Sequence, residues 1–232
     1  MSENINIIFK NRDIIVINKP KGMPSQSDPS GDLDAMSAVM AHLKAAGERD
    51  SLWLVHRLDR TVGGLLVFAR NKKSAGELSV LVAGGGMIKR YLAVCHGVAQ
   101  EGEYTDFLYK DASVSKAYVV KNLRRGAKEA RLKLSRLGER EDKSLVSVKL
   151  ETGRFHQIRA QLSSRGNSLV GDKKYGSRDA LRSTPALFAS ELSFTLLSKK
   201  YSFFAKPDVS EYPWSIFADV IENNGERKDA NG

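Results

Sequence analysis

The feature that most restricts the fold is a change in hydrophobic period along the chain. Beyond residue 88, five segments alternate apolar and polar residues or nearly so: KRYLAVCHG, GEYTDFLY, KAYVVK, ARLKLSRL and SLVSVKLE. A period of two places the apolar side chains of a strand on one face. Parallel strands need a crossover connection, usually a helix, and no helical pattern separates these segments. The sequence therefore predicts a run of antiparallel strands.

The N-terminal third mixes strands and helices. The β-branched run DIIVINKP ends at KPKGMP, whose prolines and glycine predict a loop. Residues 33–47 and 72–82 have helical spacing, and residues 65–69 between them read as a buried strand. Together with the later strands, this predicts an α+β fold, with a mixed, mostly antiparallel central sheet flanked by helices. No linker is long enough to separate domains, so residues 1–222 are predicted to be a single domain, and the polar stretch 223–232 a disordered tail.

Composition narrows the class of protein. The chain has 232 residues, of which 41% are hydrophobic, enough to bury a sizeable core. It has no run of eighteen apolar residues, and its N-terminus lacks the basic start, apolar middle and small-residue cleavage site of a secretory signal, so a cytoplasmic location is expected. The single cysteine, Cys95, excludes an intrachain disulfide and a zinc site built on several thiolates, and its place in YLAVC predicts a buried strand residue.

The charge of the chain favours a polyanionic partner. There are 37 Lys and Arg residues against 27 Asp and Glu, a net charge of +10. Residues 110–140 alone contain ten basic and three acidic residues, a net +7. This segment is either a solvated basic surface or a contact for the phosphates of a nucleic acid.

Two polar clusters interrupt apolar sequence. In HRLDRTVGGLLVFAR, Asp59 lies between two apolar runs with no residue typical of a turn beside it. In ETGRFHQIRAQLSSRGNSLVGDKKYG, a helix over 154–165 would place Arg159 about 40° from Phe155, at the border of the buried face. A guanidinium there needs a partner, and Asp59 is one available carboxylate. The pair is either an ordinary buried ion pair or a means of keeping an acid ionised as a nucleophile or base.

These segments resemble the RluA-type RNA pseudouridine synthases. HRLDRTVGGLLVFAR is similar to the family's catalytic motif, IVINKPKGM to its opening segment, KRYLAVCHG to its tyrosine-bearing strand, and TGRFHQIRAQLSSRGNSLVGDKKYG to its third motif. They occur in the family's order and cover roughly residues 5–205. The resemblance implies the pseudouridine synthase catalytic fold with a catalytic cleft. It also implies an enzyme that isomerises specific uridines in ribosomal or transfer RNA to pseudouridine, on a flipped-out base and without cofactor or metal.

The resemblance also assigns roles to single residues. It makes Asp59 the catalytic aspartate and Arg159 its salt-bridge partner. Tyr91, which alone would be typical of a core strand, becomes the ring that stacks on the uracil and assists proton removal. His56 and Arg57 match the motif, and the family's arginine helps to open the duplex and hold the flipped nucleotide. Further RNA contacts are expected from basic residues elsewhere, namely Arg124, Arg125, Lys173 and Lys174.

The sequence departs from the family pattern in three respects. Val62 and Gly63 stand where the family has a threonine–serine pair, and Gln161 stands where HQIRVHL has a histidine. The S4-like RNA-binding module that precedes many relatives is not expected here, because the chain begins almost directly at the catalytic motifs. The catalytic domain is therefore expected to grip RNA by itself, as a monomer by default.

Several alternatives remain open at this point. Asp59 could attack C1′ of the ribose, attack the pyrimidine ring, or abstract the 2′ proton to give a glycal. The chain could instead be an inert RNA-binding protein on the same fold. A third possibility is a metal-dependent nuclease or phosphatase, whose ligands would be His56, Asp59, His156 and Asp172.

Overall fold

The computed structural model describes residues 5–123 and 125–229. The chain divides into two compact units. The first consists of the residues up to 89 together with 189–205, and the second of residues 90–188 together with those from 206 onwards.

The described residues contain eleven strands and four α-helices. The strands are β1 (Asn6–Lys10), β2 (Ile14–Lys19), β3 (Trp53–Leu54), β4 (Gly63–Ala69), β5 (Ile88–His96), β6 (Gly102–Asp111), β7 (Lys116–Val120), β8 (Ala127–Arg140), β9 (Lys143–Leu150), β10 (Leu187–Leu196) and β11 (Lys199–Phe204). The helices are α1 (Ala35–Ala45), α2 (Lys72–Ala83), α3 (Gln157–Ser163) and α4 (Ala218–Asp229). Two short 3₁₀ turns lie at Lys173–Tyr175 and Trp214–Phe217.

In the first unit the strand order is β1-β2-β4-β10-β11, and β3 pairs with the far end of β4. Every residue of β4 is buried, which explains its continuous apolar sequence GGLLVFA. Its second glycine is required by packing: Gly64 has a φ of 114°, and a Cβ there would lie 2.3 Å from the carbonyl oxygen of Ala189. The core of this unit is formed by Val16, Leu65 and their neighbours on β2, β4, β10 and β11, with Leu78 of α2 packed against it.

In the second unit the strand order is β5-β9-β8-β6-β7. The pairs β6–β7, β6–β8 and β8–β9 are antiparallel, as the alternating sequence predicts. Cys95 is buried on β5, also as predicted. One hydrophobic cluster of this unit gathers Val94, Leu145 and Phe217, and a second gathers Leu108, Ala117, Ala130, Ala160 and Tyr175 under helix α3.

Two stretches differ from the sequence-based expectation. Helix α3 begins at Gln157 rather than 154, because His156 adopts a left-handed backbone conformation with φ of 51°. The polar stretch from 223 continues helix α4 as far as Asp229, while 230–232 lie outside the described residues. The helix follows directly from buried Phe217 and buries Ile221, and a bidentate pair between Arg140 and Asp219 fixes its first turn. No helix in the described part of the chain has the length and apolarity needed to cross a lipid bilayer.

Candidate active site

The loop that carries Asp59 is fixed on its N-terminal side by a serine. Leu58 is buried, and its backbone N–H donates to the Ser25 hydroxyl at 3.0 Å. The same hydroxyl donates to the Leu58 carbonyl oxygen at 2.9 Å, so both backbone groups of the residue before Asp59 are satisfied by one side chain. Within the loop, the Val62 N–H donates to the Asp59 carbonyl oxygen at 3.0 Å. These hydrogen bonds fix the conformation of the loop, although its sequence contains no residue typical of a turn.

The C-terminal side of the loop is fixed by a fully buried lysine. The Nζ atom of Lys19, at the end of β2, donates to the carbonyl oxygens of Met23 at 2.6 Å, Pro20 at 2.9 Å and Arg60 at 3.4 Å. The Arg60 carbonyl oxygen also accepts from the Gly22 N–H at 2.8 Å. The lysine therefore ties the residue after Asp59 to the KPKGM loop.

The charge of Lys19 is coupled to Asp59. Burial lowers the pKa of the lysine to about 8, and the negative charge of Asp59 opposes that shift. The Lys19 ammonium group therefore stays protonated at neutral pH. It and the Asp59 carboxylate with which it interacts belong to the same unit. Sequence analysis missed this residue, although a lysine that ends an otherwise β-branched run is a visible signal.

The Arg60 side chain contacts a second loop, residues 28–32. Its guanidinium donates to the Ser30 hydroxyl at 2.9 Å, forms an ion pair with Asp32, and lies 3.9 Å from a carboxylate oxygen of Asp28. The segment 28–32 is thus held against the residue that follows Asp59.

His56 and Arg57 differ in their environments. The His56 Nε2 atom accepts from the Val67 N–H at 3.3 Å. Burial, with a contribution from the positive charge of Lys89, lowers the pKa of His56 to about 3. The ring is therefore neutral, and the accepting Nε2 places its proton on Nδ1. Arg57 is exposed, as a residue that contacts RNA must be.

In the second unit, Arg159 forms a buried bidentate ion pair with Asp172. The Nε–Oδ2 and Nη2–Oδ1 distances are 2.7 and 2.8 Å, and both side chains are buried. The sequence suggested Asp59 as the partner of Arg159 and named Asp172, which lies in the GDKKYG loop, only as a candidate metal ligand. The pair with Asp172 uses two of the five N–H donors of the Arg159 guanidinium. The contact between Arg159 and Asp59 stays a prediction.

Tyr175 connects Arg159 to His156. The Arg159 guanidinium lies 4.9 Å from the centroid of the Tyr175 ring. The Ala117 N–H donates to the Tyr175 oxygen at 2.7 Å, and the same oxygen forms a hydrogen bond with His156 Nδ1 at 3.0 Å. Burial and the nearby positive charges of Arg159, Lys174 and Lys110 lower the pKa of His156 to about 3. The histidine is therefore neutral.

The remaining predicted site residues lie in the second unit. Tyr91 is on β5 and only 7% exposed. Arg125 and Lys173 are exposed, and Lys174 is exposed but its Nζ donates to the carbonyl oxygens of Val114 and Ser115 at 3.3 and 3.2 Å. Arg124 lies outside the described residues. The structure therefore places Asp59, His56 and Arg57 in one unit and Tyr91, Arg159 and the lysines in the other.

The geometry gives no support to the metal-dependent alternative. His56 Nε2 accepts a backbone N–H, Asp172 binds Arg159, and His156 Nδ1 forms a hydrogen bond with the Tyr175 hydroxyl. Over residues 5–123 and 125–229, no three His, Cys, Asp or Glu side chains are grouped so that they could hold a metal ion.

Comparisons with known proteins agree with the motifs. Residues 13–164 match the family model described as RNA pseudouridylate synthase. An uncharacterized RNA pseudouridine synthase of Bacillus subtilis, YjbO, is 30% identical over 196 residues, which are 82% of this chain and 67% of the relative. Ribosomal large subunit pseudouridine synthase D of Zymomonas mobilis is 31% identical over 181 residues, 74% of this chain and 56% of that protein. This chain spans about two thirds of the length of the first curated relatives that it matches.

Solved structures confirm the fold. Human RNA pseudouridylate synthase domain containing 4 superposes with a TM-score of 0.75 at 21% identity, over 94% of this chain and 93% of that one. Human RNA pseudouridylate synthase domain containing 1 gives 0.73 at 23% identity, over 92% and 87% of the two chains. With the family model matched over residues 13–164 and relatives such as synthase D, the chain belongs to the RNA pseudouridine synthase family, in its RluA-type branch.

Proposed function

We propose that this chain isomerises one or more specific uridines of a ribosomal or transfer RNA to pseudouridine, with Asp59 as the catalytic aspartate. The observation that carries the proposal is the fixation of the Asp59 loop. The Ser25 hydroxyl forms hydrogen bonds with the N–H and the carbonyl oxygen of the residue before the aspartate. Buried Lys19 donates to the carbonyl oxygen of the residue after it, and its positive charge interacts with the carboxylate. A buried ammonium group beside the aspartate fits a loop whose carboxylate has to stay ionised.

The reaction needs no external reactant. The N1–C1′ glycosidic bond of the uridine breaks, the uracil turns, and a bond forms between C5 and C1′. The proton lost from C5 is matched by one gained at N1, so the product is an isomer of the substrate. The redox state does not change, and neither a nicotinamide nor ATP is consumed. Asp59 can act on C1′, on the ring or on the 2′ proton, and all three routes begin from an ionised carboxylate.

The other residues have supporting roles in this proposal. Lys19 favours the ionised carboxylate from within its own unit. Arg159, which is held by Asp172 and Tyr175, is proposed as the salt-bridge partner of Asp59. Tyr91 stacks on the uracil and assists proton removal at C5. Arg57, which is exposed two residues before Asp59, holds the nucleotide once it has left the helix.

The substrate class follows from charge and from the relatives. A net charge of +10 and the exposed Arg125 and Lys173 fit the phosphate contacts of an RNA, which position the substrate without reading its sequence. Two relatives are named ribosomal large subunit pseudouridine synthase D, so ribosomal RNA is the first substrate to test and transfer RNA the second. We propose ribosomal or transfer RNA as the substrate. We also propose that the protein acts as a monomer in the cytoplasm.

The test is carbodiimide labelling and primer extension on total RNA from cells that lack the protein. The RNA is mapped before and after treatment with purified wild type, Asp59→Asn or Asp50→Asn. Asp50 makes the same acid-to-amide change in the segment between α1 and β3 and serves as the matched control. The proposal expects wild type and Asp50→Asn to restore a missing pseudouridine, and Asp59→Asn to restore none. If all three proteins bind RNA and restore no site, the inert binding protein is the better account.

A further inference from the structure

Strands β8, β6 and β7 lie side by side in that order, with both pairs antiparallel, and the two faces of this part of the sheet have different surroundings. Helix α3 lies against one face, where Leu108, Ala117 and Ala130 are buried with Ala160 and Tyr175. Alternation along the strands sends the intervening side chains to the opposite face. That face carries three aromatic residues, which are Phe107 and Tyr109 on β6 and Tyr118 on β7.

The strand register places these three side chains together. Tyr109 is directly opposite Tyr118, and Phe107 is opposite Val120, the next residue on the same face of β7. Directly opposite residues on one face have Cβ atoms about 5 Å apart, close enough for their rings to form one surface. Phe107 and Tyr109 are half-buried, and Tyr118 is 42% exposed. We refer to Phe107, Tyr109 and Tyr118 as the aromatic face.

The border of the aromatic face is positively charged. The Lys116 Nζ atom lies 5.3 Å from the centroid of the Tyr118 ring and 5.1 Å from that of the Tyr175 ring, so it is within reach of both faces. Lys121 and Arg125 are exposed in the connection that follows β7. Asp111, opposite Lys116 in the register, has a carboxylate that accepts from the N–H and hydroxyl of Ser113 at 3.0 and 2.6 Å.

The acidic residue of β8 that lies opposite Phe107 also has a basic partner. Glu129, opposite Phe107, pairs with Arg131 at 2.5 Å. The basic groups around Tyr118 therefore outnumber the acids. An exposed aromatic surface bordered by cations fits a polyanion with flat apolar rings, because its rings stack on the aromatics while its phosphates contact the cations.

We propose that the aromatic face binds unpaired bases of the substrate RNA by stacking, with Lys116, Lys121 and Arg125 contacting the adjacent phosphates. The inference rests on the proposed function, since it takes RNA as the substrate, and it adds a binding surface separate from the Asp59 loop. Antiparallel sheets that present aromatic side chains bind single-stranded RNA in the same physical way, and paired bases cannot stack there. The aromatic face thus favours a target whose flanking nucleotides are unpaired.

The test measures fluorescence anisotropy of the full chain with two labelled RNAs at one fixed, low salt concentration. One probe is a short oligouridine, and the other is an RNA duplex of the same length. Tyr118→Ala is expected to weaken binding of the oligouridine about tenfold, the range of one stacked base, and to leave duplex binding within about twofold of wild type. Tyr118→Phe keeps the ring and is expected to bind as wild type does. Val80→Ala, at a 71% exposed position on α2, is the matched control.

Four outcomes overturn the inference. One is an oligouridine affinity of Tyr118→Ala equal to that of wild type. The second is an equal loss with both probes, which identifies a general electrostatic or folding effect, and the third is an equal loss in Tyr118→Phe, which identifies the hydroxyl rather than the ring. Self-association that depends on Tyr118, without binding to either RNA, would assign the face to a second copy of the chain and also overturn it.

The same binding measurement in the Asp59→Asn background separates this inference from the proposed function. If Asp59→Asn restores pseudouridine as wild type does, the assignment of Asp59 fails. A Tyr118-dependent preference for oligouridine in that variant still supports the aromatic face. Conversely, Asp59→Asn could lose activity while Tyr118→Ala leaves RNA binding unchanged. That result would contradict the inference about the aromatic face and leave the assignment of Asp59 intact.

Discussion

Ser25 holds Leu58 by both of its backbone groups, with its hydroxyl accepting from the N–H at 3.0 Å and donating to the carbonyl oxygen at 2.9 Å. The bonded residue directly precedes Asp59 in the chain. One buried hydroxyl therefore sets the backbone position from which the carboxylate projects.

Replacing this hydroxyl is expected to reduce activity more than it reduces stability. Ser25→Ala leaves a buried N–H and a buried carbonyl oxygen unsatisfied, which lowers the free energy of unfolding by about 1–3 kcal/mol. Because the loop loses its fixed geometry, the turnover number for pseudouridine formation is expected to fall at least about tenfold at a temperature where the variant is folded. Urea unfolding and single-turnover kinetics measure the two effects. Ser79→Ala removes a hydroxyl that bonds the Ala75 carbonyl oxygen on exposed α2, and it should change neither.

Lys19→Met tests the buried cation. The change removes the ammonium group that bonds three carbonyl oxygens and whose charge is coupled to Asp59. The acid limb of the pH–rate profile is expected to move to higher pH, because a carboxylate that loses a nearby positive charge is protonated more easily. Lys73→Met, at an exposed position on α2, is the control. An unchanged acid limb in a folded Lys19→Met protein would show that the lysine has only a structural role.

Asp172→Asn is expected to be strongly destabilising. It breaks a bidentate pair between two buried side chains and leaves the Arg159 charge without that partner, a change that costs about 3–5 kcal/mol in comparable buried pairs. Denaturant unfolding measures it. Asp219→Asn breaks a bidentate pair of similar geometry with Arg140 on the surface, and it should shift the midpoint much less. Equal shifts in the two variants would contradict the assignment of Arg159 and Asp172 as a desolvated pair.

Stability is expected to decline as the pH falls below the ordinary pKa of histidine. His56 and His156 have pKa values lowered from 6.5 to about 3, so the folded state resists their protonation and the unfolded state does not. Their contribution is therefore complete above pH 6.5 and is lost progressively toward pH 3, at up to about 1.4 kcal/mol per pH unit for His56 and less for His156, whose charge is partly screened by water. Urea unfolding at pH 7 and pH 5 should show the decline. His156→Gln should make the decline shallower without abolishing it, because His56 still contributes, and a wild-type protein equally stable at both values would contradict the prediction.

Local patterns were sufficient to predict much of the fold. The period-two segments became β5 to β9, and the helical segments beginning at 33 and 72 became α1 and α2. These predictions succeeded because burial on one face of an element determines its hydrophobic period. The helix predicted from 154 starts three residues later, because the left-handed conformation of His156 leaves no trace in hydrophobic spacing.

The candidate site was predicted less completely, because its partners come from loops. Asp172 lies in a loop after a glycine, where no period relates it to Arg159. Lys19 was overlooked because lysine is almost never fully buried unless it is paired, so the residue was read as the start of a loop. Ser25 bonds a residue 33 positions away, a separation that no local pattern encodes.

The most direct test of the central claim follows the bond at C5. RNA from cells lacking the protein, labelled with tritium at uridine C5, releases tritium to water only where a uracil is rejoined through that carbon. Wild-type protein and Asp50→Asn should release tritium to the same plateau, while Asp59→Asn should release none and still bind the RNA. Release by Asp59→Asn at the wild-type rate would contradict the assignment of Asp59 as the catalytic aspartate.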